Sequence, residues 1–73
     1  MKFKTDNPTH EMILAARNAS GLSQGGAAAV IGLSHYQRWA EYERGAQAID
    51  PIRWQWFLLR TGQHPKFELT EVA

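Results

Sequence analysis

Apolar residues along this chain fall mostly at helical spacing. Met12, Ile13, Ala16 and Ala19 form one stripe. The segment opens with Asn7-Pro8, a capping residue followed by a proline suited to the first helical position. The pattern predicts a first helix from about Pro8 to Ser20. Farther on, Trp39 and Tyr42 stand three apart and share one face of another helix. Asp50-Pro51 repeats the start signal, and Gly62 stops a helix that carries Ile52, Trp54, Trp56, Phe57, Leu58 and Leu59. That is too much large apolar surface for one face, so part of it is expected in an interface. Alternation of period two marks both ends. "MKFKT" sets Phe3 between lysines, and "KFELTEV" sets Phe67, Leu69 and Glu71 against Lys66, Glu68, Thr70 and Val72. Both predict short strands, paired with each other or across a dimer.

Between the first and third helices runs "GLSQGGAAAVIGLS", residues 21–34, with Gly-Leu-Ser at both ends. A glycine just past a helix takes the left-handed conformation at little steric cost. A serine just before a helix accepts an orphan backbone N–H of the first turn. Each triplet can therefore close one helix at Gly, bury Leu in the corner and open the next helix at Ser. Gly21 and Ser23 are the first such junction, and Gly32 and Ser34 the second. "QGGAAAVI" has room for only about two turns. A helix that short, between helices and ended by a tight glycine turn, is a helix-turn-helix arrangement. Ala27 and Ala28 allow two backbones to approach, while Val30 and Ile31 supply core contact. Gly25 and Gly26 either admit a DNA phosphate close to the backbone or are a tolerated weak helix start. The fold class expected is mainly α: a compact four-helix domain with short terminal strands.

The chain has 73 residues, a single domain's worth, and no cysteine, which removes disulfides, thiolate metal sites and a thiol nucleophile. The run Trp56–Leu59 is far short of a membrane span. "MKFKTDNP" lacks the apolar segment of a signal peptide. A cytoplasmic place, in a bacterial or phage-infected cell, is the expectation. The formal net charge of +1 permits nucleic-acid binding without demanding it.

Together these residues resemble the helix-turn-helix domain of phage repressors and Cro-like proteins, the XRE type. The likeness runs through Ile13-Leu14-Ala15-Ala16-Arg17, Gly21-Leu22-Ser23-Gln24, Ala28, Gly32-Leu33-Ser34 and Tyr42-Glu43-Arg44-Gly45, about half of the chain. The family usually buries the residue four positions after the second serine. Here that residue is Arg38, and Trp39 follows it. A one-residue insertion after Leu33 restores the register, puts Trp39 and Tyr42 in the core, and moves the candidate start of the recognition helix from Ser34 to His35. The resemblance implies an ion pair between Arg17 and Glu43, with solvent or phosphate as the other partner open to Arg17.

The resemblance also implies a DNA-reading surface of Gln24, Ser34, His35, Tyr36, Gln37, Arg38, Glu41 and Arg44. A recognition helix offers its N-terminal half to base edges in the major groove. Gln37 suits adenine and Arg38 suits guanine O6 and N7, or the backbone beside it. Gln24 and Arg44 suit phosphates. Tyr36 meets a thymine methyl or a phosphate, or else joins Trp39 in the core. Glu41 accepts from cytosine or is simply solvated.

His10, His35 and His64 have no metal-ligand spacing and are expected to be exposed. No nucleophile–base pattern or Walker-type loop occurs, so neither an enzyme nor a cofactor or small-molecule ligand is expected. The function expected is a sequence-specific transcriptional repressor, binding double-stranded DNA at a palindromic operator as a homodimer. Trp54, Phe57, Leu58, Phe67 and Leu69 are the candidate dimer residues. The alternative is a protein-interaction module that uses Trp54, Trp56 and Phe57 on a partner.

Overall fold

The computed structural model describes residues 8–67. They form α1 (His10–Ser20), α2 (Gln24–Val30), α3 (Tyr36–Arg44) and α4 (Pro51–Arg60), with no strand among them. Helix starts follow side-chain oxygen. Thr9 Oγ1 accepts from the Met12 N–H at 3.2 Å, Ser23 Oγ from Gly26 at 3.0 Å, and Asp50 Oδ1 from Arg53 at 2.9 Å. The first helix therefore opens two residues later than the Asn7-Pro8 signal predicts, because Thr9 can reach the third N–H of the turn. Pro8 stands before the cap, and Asn7 lies outside the described residues.

Both Gly-Leu-Ser triplets end their helices as predicted. Gly21 and Gly32 have φ of 75° and 80°. At the second junction Gly32 N–H donates to Ala29 C=O and Leu33 N–H to Ala28 C=O, a Schellman turn. The first junction differs. Ser20 Oγ donates to Arg17 C=O at 2.6 Å and accepts from Leu22 N–H at 3.2 Å, so a hydroxyl bridges the pair. The triplets also part at their serines. Ser23 caps α2, but Ser34 does not cap α3. His35 is the extended N-cap residue, with no side-chain cap bond, and Tyr36 is the first helical residue. The register that puts Trp39 and Tyr42 in the core is present, and the helix starts one position later than His35.

One core cluster joins all the helices. Ala27 and Ala28 are fully buried at the junction of α2 with α3 and α4, as close helix approach requires. Trp39, Trp54, Phe57 and Leu58 are its largest members. The Trp39 ring lies 4.7 Å from that of Phe57 and meets Tyr42 edge-on at 6.2 Å. Ala19, predicted for the stripe of α1, is exposed instead.

The dimer residues predicted on α4 need correction. Trp54, Phe57 and Leu58 are 0% exposed within their own chain and cannot also face a partner. Ile52 (81% exposed), Trp56 (40%) and the half-buried Leu59 form the outward stripe, spaced at i, i+4 and i+7. Phe67 is exposed but leans on His64, and Leu69 lies outside the described residues. The predicted strands fall on residues outside the description, except Lys66 and Phe67, which are not extended in a ladder. No helix among the described residues is long and apolar enough to cross a membrane.

Candidate functional site

At about 100° per residue, α3 sorts its side chains cleanly. Trp39, Tyr42 and Glu43 turn inward, and Gln37, Glu41 and Arg44 fall on the opposite side. Tyr36 is 55% exposed, which removes the core alternative for its ring. It flanks α2: a Cβ built on Gly25 would stand 4.0 Å from the Tyr36 Cβ, an ordinary contact. No protein atom therefore obliges position 25 to be glycine. Arg38 occupies the other flank, where it shares a cleft with Ser34, His35, Tyr42 and Arg53. Its Nε lies 3.2 Å from Glu41 Oε1. Gln37, Glu41 and Arg44 thus share the outer face of α3, with Tyr36 and Arg38 on its two flanks and Ser34 and His35 at its N-terminal end.

Gln24 has a different place. Its Nε2 donates to Glu43 Oε1 at 3.0 Å. Glu43 is the centre of a polar node. Arg17 Nε and the Trp39 indole N–H both donate to Oε2, and Arg17 Nη2 reaches Oε1 at 3.3 Å. Arg17 Nη1 also donates to Leu22 C=O at 3.1 Å, which holds the guanidinium against the α1–α2 corner. One carboxylate so ties α1, α2 and α3 together. The Glu43 side chain is 8% exposed and that of Arg17 18%. The ion pair implied by the resemblance is present, and Gln24 and Trp39 are members that sequence reasoning missed. The aromatic four residues before the glutamate, one helical turn away, was the available signal for Trp39.

Burial alone would raise the Glu43 carboxyl, but hydrogen bonds from Arg17, Gln24 and Trp39 and the Arg17 charge hold it below its ordinary value of 4.5. A lowered folded pKa adds stability above that ordinary value. The contribution is lost as pH falls through the folded value. Asp50 shifts the same way through the Arg53 backbone N–H, as does Glu11 through its own; both lie in solvent. Thermal melts should therefore be steady from pH 7 to about 4.5 and fall steeply below. Glu43→Gln should flatten the acid limb. A wild-type melting temperature that holds level down to pH 3 would contradict the assignment.

Compared with known proteins, the chain matches no family model, no curated protein and no solved structure.

The histidines divide. His10 is half-exposed beside Glu11, and its ring lies against Gly45. His35 is exposed. His64, predicted exposed, is 2% exposed. Its Nδ1 accepts the backbone N–H groups of Lys66 and Phe67, both at 3.1 Å, so the ring caps the turn after α4 from inside. Beside it Gln63 Nε2 donates to Ala16 C=O at 3.0 Å and fastens this turn to α1. Among the described residues no three His, Asp or Glu side chains stand where they could hold a metal ion.

Proposed function

We propose that the protein is a sequence-specific DNA-binding regulator, a small repressor that lays α3 in the major groove. One observation carries this reading. α3 is anchored on its inner side by Trp39, Tyr42 and Glu43, while its outer side and N-terminal end present Tyr36, Gln37, Arg38 and Arg44 to solvent. Long polar side chains on a helix whose orientation is fixed are what base-edge recognition requires. Gln37 and Arg44 sit at the centre of that face and suit base edges and the adjoining backbone. Arg38, on the flank, suits backbone. Gln24 serves the reading indirectly, since its amide holds Glu43.

A single α3 reads only a few base pairs, so a homodimer on a palindrome completes the proposal. The stripe of Ile52, Trp56 and Leu59 is the apolar surface available for the second copy. Arg60 covers part of it, with the guanidinium 5.5 Å from the Trp56 ring centre. Three side chains fall short of the roughly 800 Å² per partner of a standard interface, so the pairing is weak off DNA. The same stripe supports a second reading, a module that binds another protein through α4.

Selection of bound duplexes from a random pool separates the two. A palindrome should emerge, with half-sites about 34–36 Å apart, and its retention should fall steeply with salt. No enrichment at 50 mM salt, roughly where phosphate contacts are strongest, would sink the DNA reading in favour of the second.

A further inference from the structure

Between the entrance of α3 and the first turn of α4 lies an open cleft of about 300 Å³. Leu33, Ser34, His35, Arg38, Tyr42 and Arg53 line it. We propose that this cleft grips one DNA backbone phosphate beside the groove that α3 enters, with Arg53 of α4 as its principal contact and Arg38 as the second. The proposal rests on the DNA-binding reading and adds Arg53, a residue that the sequence pattern did not single out.

The lining is rich in donors. Two arginines and two hydroxyl-bearing residues, Ser34 and Tyr42, are among its lining, and a guanidinium accepts nothing. Such a set calls for an anion with several acceptor oxygens, and planar forks suit phosphate in a two-bond geometry. The volume admits a phosphate group. Both arginines are held ready by weak partners. Arg38 pairs with Glu41 at 3.2 Å and Arg53 Nη1 with Asp50 Oδ2 at 3.0 Å. All four side chains are at least one-third exposed, and exposed i,i+3 pairs are easily given up. Asp50 would keep its cap bond, because that uses its other oxygen and the Arg53 backbone N–H. The arginine can therefore turn to a phosphate without fraying α4. The helical phase adds the location. Arg38 lies on the flank of α3 and not at its outermost line, so it faces the strand bordering the groove.

Arg53→Gln tests the assignment, since it removes the charge and leaves the backbone cap. The variant should melt like the wild type. Its affinity should drop about tenfold, equally on the selected duplex and on variants of it, and the salt slope should fall by about one. Arg53→Lys should recover part of the loss. An unchanged affinity and slope in folded Arg53→Gln would overturn the site. If the wild type binds no duplex, the DNA assignment falls with the functional reading. A pyrophosphate titration, followed by ¹⁵N shifts at the Arg38 and Arg53 Nε, then decides the rest. Shifts confined to these groups would uphold a phosphate cleft with another source of phosphate, and none would overturn it outright.

Discussion

Trp39→Ala should cost about 3–5 kcal/mol, the loss expected for deleting a fully buried aromatic. A small domain has only about 5–15 kcal/mol in total, so the variant should be largely unfolded near 37 °C. Two losses combine. The ring leaves a void against Phe57 and Tyr42, which cannot both collapse into it because each is fixed by its own helix. The indole N–H also leaves Glu43 without one of its donors. Trp39→Phe separates the losses: it keeps most of the volume, removes the donor, and should cost about 1–3 kcal/mol. Chemical denaturation followed by circular dichroism measures both. A Trp39→Ala midpoint equal to that of the wild type would mean that the α3 register is wrong.

Glu43→Ala is expected to cost about 3 kcal/mol, at the lower end for breaking a buried ion pair. The lower end applies because Arg17, 18% exposed, still reaches some water. What remains is a guanidinium with no counter-charge and, on the fully buried Trp39, an indole N–H with no acceptor. Gln24 can turn outward and contributes less. The double variant Arg17→Met, Glu43→Leu should recover most of the loss, since an apolar pair of similar volume often replaces a buried ion pair at little cost. The indole N–H stays orphaned, and that sets the residue of the deficit. A double variant no more stable than Glu43→Ala would show that the ion pair is not the source of the cost.

The ends of the helices were legible because local residue types write them. Gly21, Gly32, Ser23 and Asp50-Pro51 each act within three or four residues of themselves. Trp39 and Tyr42 were legible because polar neighbours on α3 give their spacing contrast. α4 offered no such contrast. Six of the eight positions from 52 to 59 are apolar, and only packing decided that Trp54, Phe57 and Leu58 face in while Ile52 and Trp56 face out. At α1 the Asn7-Pro8 signal pointed two residues too early, and Thr9, which the sequence reading did not single out, caps the helix through one hydroxyl. His64 could not be placed, because its burial depends on how the chain turns after Gly62. Of the candidate site, the stretch from Ser34 to Arg44 was readable as a unit. Arg53 was not, since nothing in sequence brings it to Arg38 across the intervening turn.

The partners gathered on Glu43 come from 26, 19 and 4 residues away along the chain. Only the last is made within α3. The other two must enclose the intervening loops, and their entropy is lost before the bonds reward it. The carboxylate is therefore expected to complete its set late, as the helices dock. Stabilisation that arrives so late slows unfolding and leaves folding speed nearly untouched. In a chevron, Glu43→Gln should move the unfolding limb and spare the refolding one. What this carboxylate supplies is lifetime: a native state that, once closed, opens seldom.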